Sequence, residues 1–181
     1  MIISKKKINK YNLKRHCFIN SLIDKNLYKN ILIIGTGTGF QEYLLESYYN
    51  NIKCTSVDII RYKNFIKDLE KSNNISFIIG DINNLNFNNN QFDLVICTEV
   101  LEHISLDILD NVIKKLYKIG KNHIFSVPFM EKHYLYNEIK SSCHKKSWFL
   151  EDLKTHFVKP NIKLLQSDID NYWAFILNIK Y

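Results

Sequence analysis

The sequence predicts an α/β fold: a doubly wound, mostly parallel seven-stranded sheet that ends in an antiparallel C-terminal hairpin. Three observations predict it. Short apolar runs alternate with helix-like patterns along most of the chain. Three of the five glycines are packed into one strand-to-helix turn, Gly35-Thr36-Gly37-Thr38-Gly39. The last two apolar runs are separated by only a short polar stretch, too little chain for a parallel crossover.

Taken in order, residues 1–28 read as an N-terminal helical segment. Its apolar residues Ile8, Leu13, Ile19, Leu22 and Ile23 are spaced for one amphipathic helix or two short ones, expected to pack across the domain mouth. Strand-like runs follow at 31–34 (ILII), 54–57 (CTSV), 75–79 (ISFII), 92–97 (FDLVIC) and 123–127 (HIFSV). Continuous apolar runs of that length suit parallel strands buried on both faces. The best-marked helix runs from Ser105 to Ile119. Ser105 is placed to cap it, Asp107 and Asp110 sit at its positive end, Lys114, Lys115 and Lys118 near its negative end, and Gly120 is expected as a left-handed stop. Leu106, Leu109, Ile113 and Leu116 form its sheet-facing stripe. A helix around Trp148 to Phe157 precedes the two runs of the hairpin, IKLLQ at 162–166 and YWAFILNI at 172–179. The aperiodic stretch from Met130 to Ser147 is the expected substrate-facing loop, and Asn83 to Asn90 is polar and Asn-rich.

The 181 residues suit one domain, 1–181, with a core that needs neither disulfides nor a structural metal. Cys17, Cys54, Cys97 and Cys143 are scattered, with no CxxC pair, which points to a reducing cytoplasm and assigns no metal ligands. No run reaches the ~20 apolar residues of a membrane helix, and MIISKKKINK lacks the apolar core of a secretory signal, so no membrane insertion is expected. The formal charge of +7 invites a nucleic-acid reading. Only Arg15 and Arg61 are arginines, however, and Lys, Asn and Ile are enriched together, which reads as compositional bias more than as a tuned phosphate surface.

Chemistry concentrates at the strand ends. Glycines between a strand and a helix allow a tight turn and close approach of a ligand to free backbone N–H groups, although alone such a turn also serves as an ordinary connection. Asp58 ends the second strand, 19 residues beyond Gly39, where a carboxylate can accept both hydroxyls of a ribose or merely cap a helix. Gly80-Asp81-Ile82 ends the third, where Asp81 can receive an adenine amino group or close a turn. Three such sites at successive carboxyl ends make a nucleoside pocket the better reading. A dinucleotide fits poorly, because the sixth position of the fingerprint is Phe40, too bulky beside a pyrophosphate.

These strings, ILIIGTGTG, SVDI, GDINNLNF, FDLVICTEVLEHI and FSVPF, resemble in order the class I S-adenosylmethionine-dependent methyltransferases, of the small, single-domain, ubiquinone-biosynthesis-like type. The resemblance implies a Rossmann-like fold and S-adenosylmethionine as cofactor. It places Gly35, Thr36, Gly37 and Gly39 along the methionine and ribose, Asp58 with Ile59 at the ribose hydroxyls, Asp81 and Ile82 at the adenine, and Thr98 and Glu99 beside the methionine moiety. One departure is Ile33, where most members carry an acid; it is also a feature of aminopropyl transferases, whose fourth-strand segment differs from this one. Methyl transfer needs in-line alignment and exclusion of water, and a base only if the acceptor must lose a proton. His103, near Glu99 and Glu102, is the candidate catalytic base; its alternative is a residue that packs or caps.

The leading expectation is an enzyme, monomer or homodimer, that methylates an O, N or C centre of a small-molecule acceptor. A second resemblance, to metal-dependent 2′-O-methyltransferases of small-RNA 3′ ends, implies that Glu99, Glu102, His103 and His144 enclose Mg²⁺ or Mn²⁺, with Trp148 and Glu151 following His144. A catalytically silent binding subunit, resting on Ile33, is the third reading.

Overall fold

The computed structural model of the chain describes residues 10–49, 51–62, 67–128, 148–157, 163–166 and 173–179. Among the described residues four α-helices, α1 (Lys10–Ser21), α2 (Phe40–Tyr48), α3 (Leu106–Ile119) and α4 (Leu150–Phe157), accompany seven strands. The strands are β1 (Asn30–Ile34), β2 (Lys53–Asp58), β3 (Ile75–Ile79), β4 (Phe92–Thr98), β5 (Gly120–Pro128), β6 (Lys163–Gln166) and β7 (Trp173–Asn178). They form one sheet in the order β3-β2-β1-β4-β5-β7-β6. The first five are mutually parallel, and β7 runs antiparallel to both β5 and β6, which is the hairpin expected from the short connection.

The burial of β1 explains its composition. Ile31, Leu32, Ile33 and Ile34 are all buried, because helices cover both faces of a doubly wound sheet. Alternate residues enter opposite cores. Leu32 and Ile34 join Val95, Cys97 and Phe125 under α3 and α4, whereas Ile31 and Ile33 join Leu94, Ile96 and Ile124 under Ile19 of α1 and Leu45 of α2. The N-terminal helix therefore covers one face of the sheet with Ile19, and its other contacts reach the strand tips as described below.

Several local readings are corrected. Gly120 is not a left-handed stop: it is extended (φ −110°, ψ 149°) and opens β5 opposite Phe92. Packing requires a glycine there, since a Cβ would lie 2.4 Å from Val95 Cγ2 and 2.9 Å from His123 Nε2. Leu106 is 62% exposed, and the buried stripe of α3 is Leu109, Val112, Ile113, Leu116 and Ile119. Ser105 holds the N-cap position without a side-chain cap, its carbonyl accepting from the amides of Ile108 and Leu109 at 3.1 Å each. The β3-to-β4 connection has no helix. Its asparagines favour turns, and Leu85 and Phe87 cover the core from the loop instead. The stretch 130–147 lies outside the described residues.

The chain order reverses between β1 and β4, since β1, β2 and β3 run to one edge while β4 and β5 run toward the other. Ligands of open α/β sheets bind at that reversal, outside the carboxyl ends of the strands. The registers Ile34↔Val57, Ile34↔Cys97, Asp58↔Ile79 and Thr98↔Ser126 set the five parallel strand ends beside one another.

Candidate functional site

The turn after β1 has left-handed backbone at Gly35 (φ 86°), Gly37 (φ 52°) and Gly39 (φ 80°), conformations that glycine adopts without the penalty of a Cβ. Gly35 donates its N–H to the Val57 carbonyl at 2.9 Å, and a Cβ on it would lie 2.3 Å from Val100 Cγ2, just beyond β4. Gly39 donates to the Thr36 carbonyl at 2.9 Å and starts α2. Gly37 differs from Gly35, because a Cβ there would meet no atom within 4 Å. The turn thus keeps open space beside Gly37.

Asp58 is locked to that open turn. Its Oδ2 accepts the Gly37 N–H at 2.9 Å and its Oδ1 the Ile60 N–H at 3.3 Å, while its carbonyl accepts the Gly80 N–H at 2.8 Å. Three strand tips are joined in this way. Thr36, Gly37 and Asp58 line a shallow cleft with Ile60, Arg61, Phe77, Ile78 and Ile79. Ile60 and Ile79, 51% and 61% exposed, give the cleft an apolar shelf beside a carboxylate; Ile59, 68% exposed, is not in its lining. Arg61 lies over the Phe77 ring and pairs with Glu70. Asp81 does not line this cleft; it is exposed just past β3, its Oδ1 accepting the Asn83 N–H at 2.8 Å. Ile82 turns its side chain into the core, 6% exposed, and its carbonyl accepts from Lys115 Nζ at 2.9 Å.

The tip of β4 forms the other flank. Thr98 is buried, and Glu99 takes a left-handed backbone (φ 57°), a conformation that costs a non-glycine residue ~1–3 kcal/mol and persists where its surroundings fix it. Those surroundings are visible: the Glu99 N–H donates to the Ser126 carbonyl, Ser126 Oγ donates to Glu99 Oε1, both at 3.1 Å, and Arg15 Nη1 of α1 lies 3.5 Å from Glu99 Oε2. Next to Arg15, His16 Nδ1 meets Gln41 Oε1 at 3.0 Å. Burial, with the adjacent Arg15 charge, holds His16 down to about 4 against the opposing Gln41 bond, so its ring is neutral at physiological pH. Beyond β4, Glu102 is buried and His103 is half exposed on the 3-10 turn Leu101–His103, with 3.9 Å between Glu102 Oε1 and His103 Nε2.

Among the described residues no cluster of three or more His, Cys, Asp or Glu side chains is arranged to hold a metal. His144 lies outside the described residues, and Glu151 pairs with Lys154 at 2.8 Å.

Sequence reasoning missed a polar layer beneath the turn. Thr36 Oγ1 and Ser56 Oγ are 2.6 Å apart, and Ser56 Oγ hydrogen-bonds the fully buried Glu42. It missed Arg15 and Ser126 as well. The available signals were Gln41 and Glu42 on the same buried stretch of α2 as Leu44 and Leu45, and Arg15 as one of two arginines in a lysine-rich chain. Ile33 is buried in the core and offers packing without charge.

Residues 31–123 match the model of a family described as a methyltransferase domain, half of the chain, from the second residue of β1 into the start of β5. The chain belongs to that methyltransferase family. S-adenosylmethionine is the methyl donor of this methyltransferase. In sequence the enzyme is similar to ribosomal RNA small subunit methyltransferase G of Mycoplasma capricolum subsp. capricolum, 29% identical over 173 residues, covering 86% of this chain and 67% of the relative. In fold it is similar to the N-methyltransferase NodS of Bradyrhizobium japonicum WM9, solved with S-adenosylhomocysteine, at a TM-score of 0.70 and 16% identity over 96% of this chain and 90% of that one. It is also similar to small RNA methyltransferase HEN1, with a TM-score of 0.71 and 16% identity over 100% of this chain and 27% of that one. The methyltransferase suits its cofactor chemically: the open side of Gly37, the adjacent Asp58 carboxylate and the isoleucine shelf offer, in sequence, room, a hydroxyl acceptor and an apolar wall.

Proposed function

We propose that the enzyme methylates an O, N or C centre of a small-molecule acceptor, with S-adenosylmethionine seated on the tips of β1 to β4. The hydrogen bond from Gly37 to Asp58 carries the placement, because it holds a carboxylate at the open side of the turn, where ribose hydroxyls would be accepted. Ile60 and Ile79 would flank the adenine, with Ile59 next to them in the chain; Asp81, just outside the cleft lining, would meet its amino group, and Gly35, Thr36, Gly39, Thr98 and Glu99 would border the methionine end.

The cofactor supplies a methyl group already activated by a sulfonium. The chain's own task is alignment and exclusion of water. The Arg15–Glu99–Ser126 network supports this by fixing the β4 tip in one strained conformation. His103 is placed to take a proton from an acceptor that must lose one. The free thiols of Cys17, Cys54 and Cys97 suit a reducing cytoplasm.

The small-molecule reading draws support from the arginines. Both are engaged by carboxylates, Arg15 by Glu99 and Arg61 by Glu70, so phosphate recognition would fall to lysines alone. Glu99, a member of the metal set expected for the RNA reading, is likewise committed to Arg15 and Ser126. The charge of +7 and the ribosomal RNA methyltransferase relative favour RNA as the second reading.

Release of S-adenosylhomocysteine from metabolite pools and from RNA, with and without a chelator, separates the two. Turnover of a metabolite fraction that survives chelation, and falls ~10²-fold or more in His103→Ala, is the expected result. Turnover confined to RNA, dependent on a divalent ion and abolished in His144→Ala, would replace it.

A further inference from the structure

A buried carboxyl lies directly beneath the cofactor turn and has no place in the scheme above. Glu42 is 0% exposed on α2. Ser56 Oγ donates to its Oε1, and Ser56 in turn meets Thr36, the residue between the first two glycines. Its other oxygen, Oε2, is buried without a hydrogen-bond partner. A buried carboxylate with one bare oxygen is an expensive arrangement, whereas the neutral acid tolerates it far better. The site is therefore poised so that whatever charge is placed on the turn above decides the state of the acid below.

Donor and product differ by one charge at that place. S-adenosylmethionine carries a sulfonium; S-adenosylhomocysteine has a neutral thioether and otherwise the same groups. An anionic Glu42 attracts only the first, and the attraction acts through protein interior, where charges are weakly screened.

We propose that Glu42, acting through Ser56 and Thr36, is a buried positioning residue that distinguishes the charged methyl donor from the neutral product, its ionised form favouring the donor. The inference rests on the reading that the cofactor sits on the glycine turn. It gives Glu42 a part in the cycle: the donor draws the proton off, and loss of the sulfonium on transfer lets it return, which weakens the relative hold on the donor-shaped state.

The other groups around Glu42 fit this assignment. On β2, Asp58 adds a like charge, and Glu42 itself disfavours ionisation of Cys54, as does Glu46 from the next turn of α2. On α1, the residues facing α2 and the β4 tip are His16, held neutral on Gln41, and Arg15, on Glu99. Burial raises the Glu42 carboxyl to about 7, with Asp58 adding to the rise while the Ser56 and backbone hydrogen bonds oppose it. Its titration consequently falls in the neutral range. Burial and the two glutamates keep the Cys54 thiol protonated throughout.

The test is calorimetric titration of the full chain with S-adenosylmethionine and with S-adenosylhomocysteine at pH 6 and pH 8, in buffers of different ionisation enthalpy, for the wild type and Glu42→Gln. The preference for donor over product should rise about fivefold to tenfold between the two pH values in the wild type, as expected for a charge pair at an effective dielectric of ~20. Donor binding near pH 7 should release a fraction of a proton that product binding does not. Both effects should vanish in Glu42→Gln while both ligands still bind. A preference that stays flat in the wild type, or rises equally in Glu42→Gln, overturns the proposal. Should the variant not fold, ¹³C resonances of the wild-type glutamate carboxyls decide it: a buried acid titrating at lower pH with donor bound than with product supports the proposal, and identical midpoints refute it. Binding of neither ligand, or of both without any effect of Asp58→Ala, refutes the cofactor placement itself, a result distinct from pH-independent binding.

Discussion

Asp58→Ala is expected to weaken S-adenosylmethionine binding about a hundredfold and to leave the fold standing. The carboxylate reaches the cleft and would accept two ribose hydroxyls; hydrogen bonds to a charged group contribute ~1.5–3 kcal/mol each, and at the lower figure, fitting a partly exposed site, the loss of two (~3 kcal/mol) is about two orders of magnitude. The same substitution removes the acceptor of the Gly37 N–H, so the turn loses its tie to β2. Asp58 is only partly buried at a strand end, and the core on either side of β2 does not depend on it. Calorimetric affinity together with a thermal melt separates the two consequences. Affinity within threefold of the wild type would show that the ribose is held elsewhere.

Gly37→Ala is expected to produce the opposite profile from a packing mutant, with stability nearly kept and binding lost. Its φ of 52° lies in the left-handed region that alanine enters at a cost of ~1–2 kcal/mol, and the added methyl would meet no protein atom within 4 Å. In a domain of this size that strain lowers Tm by only a few degrees. The methyl would instead occupy the space assigned to the cofactor, and affinity should fall by at least thirtyfold. Gly35 offers no such separation, since a Cβ there would press to 2.3 Å from Val100 Cγ2 and disturb the fold directly. A Gly37→Ala protein that binds normally would move the cofactor off the turn.

The fold was legible wherever a local pattern has one cause. ILII and FDLVIC read as parallel strands because burial on both faces leaves no polar alternation, and they appear as β1 and β4. The glycine turn was legible because three glycines in five residues, in a chain holding five, mark a backbone constraint. The hairpin followed from a chain-length limit on crossovers, and β6 and β7 satisfy it. Gly120 was misread because glycine meets two needs, positive φ and close packing, and only the neighbours Val95 and His123 reveal which one applies. Leu106 was misassigned because periodicity names a helix face but not where along the helix that face is covered, and Leu106, first in α3, is 62% exposed.

Within the site, Asp58 could be found from its position at a strand end. Glu42, Ser56, Arg15 and Ser126 could not, because their roles arise only when distant segments meet. Ser56 lies 14 residues from Glu42, and Ser126 lies 27 from Glu99. A charged residue in an apolar stripe is a visible anomaly; its partner is not.

A crystal structure of the full chain grown with S-adenosylhomocysteine tests the cofactor placement most directly. The expected map has the ribose hydroxyls within hydrogen-bonding distance of the Asp58 carboxylate, the sugar against Gly37 and the base on the shelf of Ile60 and Ile79. Density for the nucleoside anywhere other than the tips of β1, β2 and β3 would contradict it.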